Sequence, residues 1–353
     1  MCFRLTFLFA ILITTPSLAD TLVFVSVAGE KRIATLRLNE ATGEMKLVRH
    51  TAINGEPGPL SLHPSGRFLF ASIRSEGRLV SFTLSKSEGK LTQVSEVAAG
   101  EDPAYHTPDS SGQFLLSAYY AAGKVCVHKI GKDGSLSKAA MQSVATNEKA
   151  HGVAFDRSKK LVFIPHTGPN QIHQFHFDSQ TGRLSPNDAV VFQLDQKTGP
   201  RHMAIHAHSP ILYTNYEQGG AVARLRLNKK TGTLKLVDTI TTLPFDYKGS
   251  HATARMELSP NGRFLYVANR GPNTIAGFTV DKKTGKLTAI QQTPTEPNPR
   301  SFSISPSGKI IVAAGQESGK LVTFRIDNES GKLSKLQTMS IGERPWWVLV
   351  VEN

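Results

Sequence analysis

Six side chains carry most of the chemistry this sequence can offer: Arg74, Arg201, Arg270, Arg300, Glu217 and His151. A guanidinium is a rigid fork that fits phosphate or carboxylate. Several of them facing one space repel each other unless an anion sits between them. A carboxylate and an imidazole in the same group add acid–base capacity, since His titrates near neutrality and moves protons in either direction. The set points to a small anionic ligand bound where a proton can be exchanged. Charge lowers the pKa of a carboxylate among arginines and burial raises it, and the sequence leaves that balance open.

These residues are far apart in the chain, so something must gather them. A repeat does so. Turn glycines recur at Gly43, Gly89, Gly134, Gly182, Gly232, Gly285 and Gly331, with gaps of 46, 45, 48, 50, 53 and 46 residues. Each is followed by Leu or Met opening a new apolar stretch. Seven units at this period fit propeller blades of four strands. Alternation places second strands such as Arg67–Ala71 and Arg263–Val267, and third strands such as Leu79–Leu84 and Ile275–Val280. First strands precede turns such as Ser259-Pro260-Asn261-Gly262 and Ser305-Pro306-Ser307-Gly308.

The two ends complement each other. Leu22–Ser26 reads as a second strand without a first, and Pro345–Val351 as a first strand with nothing after it. The expected fold is therefore all-β: a seven-bladed β-propeller with four-stranded blades over residues 20–353, closed by a composite blade made from both chain ends. Such closure removes the open sheet edge.

Superposing the units yields two rings of equivalent positions. At the start of the first strand stand Gly58, Ala104, His151, Arg201, Ala254, Arg300 and Trp346. Just past the second strand stand Ala28, Arg74, Tyr120, Thr167, Glu217, Arg270 and Gln316. First and second strands run antiparallel, so both rings should meet at one mouth of the central channel. Arg74, Tyr120, Arg300, Gln316 and Trp346 are expected to line it for ligand binding, joined by His106 and His202 beside the rings. His166, His173, His176, His206 and His208 show no metal-ligand spacing, and neither metal nor other cofactor is expected.

The chain also resembles a known family, the seven-bladed propeller lactonases, which include bacterial 6-phosphogluconolactonase and fungal 3-carboxymuconate lactonizing enzyme. The resemblance runs from about Thr21 to Glu352. It is carried by Gly199-Pro200-Arg201-His202-Met203, Ser259-Pro260-Asn261-Gly262-Arg263-Phe264-Leu265-Tyr266, Ala268-Asn269-Arg270, Pro299-Arg300-Ser301-Phe302, Ala313-Ala314-Gly315-Gln316 and Pro345-Trp346-Trp347-Val348. It implies a catalytic group of His151, Arg201, Glu217 and Arg270, the same four that the repeat comparison places in the rings. Two departures bear on the substrate. Thr253-Ala254-Arg255 stands where the family commonly has a Glu, which would add positive charge, and Tyr216-Glu217 replaces the usual Asn-Glu.

The resemblance makes hydrolysis of an anionic, sugar-derived lactone the leading expectation. The alternatives are cycloisomerisation of a carboxymuconate and a non-catalytic propeller that binds an anion or a partner. Arg4, the apolar run Leu5–Ile13 and Ser17-Leu18-Ala19 form a secretory signal pattern, residues 1–19. The mature chain is expected to be periplasmic or secreted, monomeric and free of the membrane. It would keep one of two cysteines, Cys126, which rules out a disulfide framework. The net charge of +13 comes from dispersed basic residues, with lysine pairs such as Lys229-Lys230 and Lys282-Lys283 at turns. No nucleic-acid motif accompanies them, and nucleic acid is not expected as a partner.

Overall fold

In the computed structural model, which describes residues 21–352, the repeat glycines sit where a side chain has no room. All seven have positive φ, from 60° at Gly89 to 84° at Gly134, a region glycine enters without a Cβ penalty. Each also abuts a neighbouring blade. A Cβ on Gly134 would collide with Phe68, on Gly182 with Phe114 and on Gly331 with Phe264. Tyrosines of second strands cross the same seams, Tyr213 donating to the carbonyl of Gly285 at 2.6 Å and Tyr266 to that of Gly331 at 2.7 Å. The repeat seen in the sequence is thus a seam-packing requirement.

The strands form seven antiparallel sheets of four. Counting blades from the first that is continuous in sequence, the first is Pro57–Leu62, Phe68–Ile73, Arg78–Ser85 and Lys90–Ala98. The second to sixth blades follow in chain order, ending at Ser340. The seventh is composite, with strand order Pro345–Val351, Thr21–Val27, Arg32–Leu38 and Met45–Ala52. Leu22 pairs with Val351 and Val25 with Val348, as the complementary ends predict. Second strands such as Phe68–Ile73 and Phe264–Asn269 are buried on both faces. The core is therefore a set of seams between blades. Leu22 and Phe24 of the composite blade pack with Leu69 and Ala71 of the first, while Val23 and Val25 pack with Ile310 and Val312 of the sixth. Removing that apolar area from water is the main drive to close the ring.

The start of each first strand is built to aim a side chain. Five of these strands begin with proline, at Pro57, Pro103, Pro200, Pro299 and Pro345. Proline gives up no ladder bond as the first residue of a strand that borders the channel. Directly after it the pairing register shifts, for example between Pro200 and Met203 and between Pro299 and Ser301. Such bulges re-aim the side chain at the shift, and the first ring of residues stands there. In the third blade the ladder breaks altogether, with an isolated Ala150–His166 bridge before pairing resumes at Ala154, and His151 occupies the gap.

Candidate active site

One backbone hydrogen bond recurs in six blades and fixes the second ring. The N–H just past the second strand donates to the carbonyl two residues before the matching first-ring position. The pairs are Ala28–Arg344, Tyr120–Asp102, Thr167–Lys149, Glu217–Gly199, Arg270–Ala252 and Gln316–Asn298, at 2.7–3.2 Å. Both rings therefore lie at one mouth, as the antiparallel register requires.

Glu217 is the centre of the arrangement. One carboxylate oxygen, Oε1, accepts from Arg270 Nη2 in a short contact. The other, Oε2, faces Arg201 Nε at 3.5 Å without a hydrogen bond. Arg270 Nη2 also donates to the Thr253 carbonyl at 3.2 Å. Two strands of the fourth blade and the edge of the fifth thus converge on one carboxylate. Burial pushes the Glu217 carboxyl up, but Arg201 and Arg270 outweigh it and hold it below the usual carboxylate range. The balance left open by the sequence is settled toward the ionised form.

Arg201 and His151 are nearly inaccessible, at 2% and 4% exposure. Burial pulls Arg201 well below its ordinary value, Glu217 opposes that, and Arg270 and Arg300 add to it. A guanidinium still remains protonated across the physiological range. Burial, then Arg201, His202 and Arg74, hold His151 well below the usual imidazole range, so it is neutral at neutral pH. Its Nδ1 has no hydrogen-bond partner, nor do Arg201 Nε, Glu217 Oε2, Arg270 Nε or Arg300 Nε. Five buried polar atoms of the mouth thus make no hydrogen bond within the protein, although Arg201 Nε and Glu217 Oε2 face each other as an ion pair.

The outer level of the mouth is a cavity of about 810 Å³ lined by Arg74, Asp102, Arg300, Gln316 and Trp346 among others. Arg74 is clamped by Asp102 through two hydrogen bonds of 2.6 and 2.9 Å. Asp102 holds this place with a φ of 42°, an uncommon conformation for a residue with a side chain. Arg300 has no carboxylate partner among the described residues. Its guanidinium stacks over Trp346 at 5.0 Å, and Arg74 stacks over the same ring at 5.5 Å. Burial first, then Arg270 and Arg74, bring Arg300 down to about 10. Ring contacts connect this level to the inner one: Tyr120 to His151 at 5.5 Å, and His151 to His202 at 5.5 Å.

Two expectations change. His106 has no free polar atom for a ligand, because Nδ1 is bonded to Ser61 Oγ at 2.7 Å and Nε2 to the Pro59 carbonyl at 3.0 Å. Arg255 adds no net charge, since Glu257 accepts two hydrogen bonds from it and its guanidinium covers Trp347 at 4.5 Å. His206, directly after the strand Pro200–Ile205, caps a turn, its Nδ1 accepting from the N–H groups of His208 and Ser209 at 3.1 and 3.0 Å. Asp102, Tyr105 and Trp347 were missed from sequence. Tyr105 and Trp347 close the inner level against His202, at 5.5 and 6.2 Å.

Buried imidazoles give this protein a pH dependence. His106 and His128 are lowered to about 4 and His166 to about 3, in each case chiefly by burial. In the unfolded chain they titrate near 6.5. Unfolded protein thus binds more protons as pH falls, so their contribution is full above pH 6.5 and lost as pH drops toward 4 and below. The thermal midpoint is expected to decline across that window. His106→Gln should flatten part of the slope, on the order of 3 kcal/mol in unfolding free energy. A midpoint that is level from pH 7 to 4 would contradict the assignment.

A closed ring of seven four-stranded blades, with arginines and the carboxylates of Glu217 and Asp102 gathered at a single mouth, defines a propeller with a charged mouth. The chain belongs to the lactonase family of seven-bladed β-propellers, whose family model matches residues 12–350. It is similar to 6-phosphogluconolactonase of Serratia proteamaculans, with 31% identity over 178 residues, 50% of this chain and 53% of that protein. The enzyme of the same name from Pectobacterium carotovorum is 29% identical over 180 residues, 51% and 54% of the two chains. The chain thus spans about half the length of the curated relatives it matches. The solved periplasmic gluconolactonase of Pseudomonas aeruginosa is similar throughout, with TM-score 0.87, 26% identity and coverage of 94% of this chain and 99% of that one.

Proposed function

We propose that this protein hydrolyses an anionic, sugar-derived lactone. The observation that carries the reading is the position of Glu217: ionised, shared by Arg270 and Arg201, with Oε2 unpartnered beside a buried guanidinium. The lactone carbonyl oxygen faces Arg201, which stabilises the charge that develops as water adds. Glu217 Oε2 takes the proton of that water and passes it to the ring oxygen as the carbon–oxygen bond breaks. His151, neutral and with Nδ1 free, orients the water. Bound substrate charge offsets the guanidiniums and so raises the basicity of both groups. The test is acid release from δ-lactones, phosphorylated and unphosphorylated, measured against spontaneous hydrolysis. Rates equal to background for all of them would end the hydrolase reading.

Arg300 supports the anionic character of the substrate, being a largely buried cation that pairs directly with no carboxylate among the described residues, Glu217 acting on it only through its field. A charge-assisted hydrogen bond contributes roughly 1.5–3 kcal/mol. Arg300→Gln should therefore raise KM for a phosphorylated lactone about 10–100-fold with kcat nearly unchanged, the pattern of lost uniform binding. An equal effect on a neutral lactone would show that Arg300 does not hold the anion.

The signal pattern over residues 1–19 lies outside the described residues. It supports export with cleavage after Ala19, as does the likeness to the periplasmic gluconolactonase of Pseudomonas aeruginosa. No described helix is long and apolar enough to cross a membrane. Mass spectrometry of the protein from a bacterial periplasm is expected to give an amino terminus at Asp20. An intact Met1 in that fraction would refute cleavage.

A further inference from the structure

The seven units differ most in length at one place. Links from a fourth strand to the next first strand span four residues at 53–56, 99–102, 295–298 and 341–344, six at 194–199 and eight at 146–153. Between the fourth and fifth blades the link runs over 242–252, eleven residues. It accounts for the longest glycine interval in the sequence, 53 residues from Gly232 to Gly285. Fourth strands end and first strands begin at the mouth, so the extra length is added beside the site.

Both limbs of this loop are tied to the residues around Glu217 and Arg270. The Thr242 N–H donates to Gly220 at 2.9 Å, and its carbonyl accepts from Asn269 Nδ2 at 2.6 Å and Gln292 Nε2 at 2.8 Å. On the return, His251 Nε2 meets the Gln218 carbonyl at 3.0 Å, and Arg270 N–H donates to Ala252 at 2.9 Å. The tip is held as well: Tyr247 N–H donates to Pro244 at 3.2 Å and Tyr247 Oη to the Ser250 carbonyl at 2.8 Å. The return limb, through Ser250, His251 and Ala252, lines a cavity of about 380 Å³ together with Arg270, Asn273 and Asn298. This cavity shares no lining residue with the one at Arg74, Arg300 and Trp346.

At the tip stands Phe245, 96% exposed, whereas the next most exposed large apolar residue among those described, Met141, is at 52%. An aromatic ring left in water adds nothing to folding, because no apolar area is removed from solvent. On an anchored loop such a ring meets a ligand with little further ordering cost. A sugar ring suits the pair of features. Its hydroxyls match a polar cavity with a guanidinium, and its C–H face packs on an aromatic ring.

We propose that the 242–252 loop and its cavity form an outer subsite for a second ring of the substrate. The substrate class is then the lactone of a disaccharide acid that also carries an anionic substituent, with the lactone ring at Glu217 and the attached glycosyl unit on the Phe245 side. This rests on the lactonase reading, deepens it, and leaves the Arg300 cavity to the anionic group.

The two tryptophans of the chain, Trp346 and Trp347, are both at the mouth. Their fluorescence reports binding without turnover. Gluconate is compared with maltobionate and cellobionate, which are gluconate bearing a second glucosyl ring. At least one disaccharide acid is expected to bind about tenfold more tightly than gluconate, and the matching lactones to differ similarly in kcat/KM. Phe245→Ala should bring both ratios close to one through KM, and Phe245→Trp should retain them. A ratio near one in the unmodified protein, or one unaffected by Phe245→Ala, overturns the subsite. Tighter disaccharide binding with no lactone turnover would leave the subsite standing and remove the lactonase reading. Turnover of both lactones with equal binding would do the reverse.

Discussion

Glu217→Gln is expected to lower kcat about 10³-fold, within the range of about 10²–10⁴ that a positioned proton acceptor supplies. Glutamine preserves the shape of the side chain and removes both its charge and its basicity. Arg201 and Arg270 then lose the anion they share. Of the four mouth arginines only Arg74 would keep a carboxylate, Asp102. The variant should therefore hold an anionic ligand at least as tightly as the native protein while failing to turn it over. That combination separates a catalytic role from a structural one, since a collapsed mouth would lose both binding and turnover. Steady-state kinetics with a phosphorylated δ-lactone, together with a fluorescence titration using the hydrolysed acid, reads the two effects. Turnover within threefold of native would remove Glu217 from the mechanism.

Arg201→Gln is expected to cost about 10²–10³ in kcat, the usual loss for one oxyanion donor. The reasoning is positional. Arg201 is the mouth arginine most removed from solvent, so its charge acts through little water and is worth more than that of an exposed cation. Arg201→Lys should recover little, because an ammonium lacks the fork and is more strongly hydrated. If KM rose while kcat held, Arg201 would be an anchor for the ground state instead. Thermal unfolding of each variant guards against misreading, since removing one buried charge leaves its neighbours unbalanced.

Asp102 illustrates where a sequence comparison stops short. It sits two residues before a first-ring position, in the set Glu56, Asp102, Lys149, Gly199, Ala252, Asn298 and Arg344. A third comparison across the repeat would have found it. That set would still not have said that Asp102 clamps Arg74 while Glu56 pairs with Arg344. His106 illustrates the converse. Its type and place suggested a ligand contact, but Ser61 and Pro59 from the adjacent inner strand consume both nitrogens. The 242–252 loop was visible only as an interval that ran long, and its exposed phenylalanine required coordinates.

The amino-acid sequence by itself determined the blade number, the strand assignments, the closure by both ends and the membership of the two rings. Those features follow from turn chemistry and alternation, which act over a few residues and repeat, so a common register places every equivalent side chain at one mouth. Only the tertiary structure decided which charges pair, that Glu217 is ionised between Arg201 and Arg270, that Arg255 is neutralised by Glu257, and that Arg300 forms no ion pair with a carboxylate among the described residues. Pairing depends on ångström-scale approach between blades and on the contest between desolvation and Coulomb attraction. Neither quantity has a local signature in the chain.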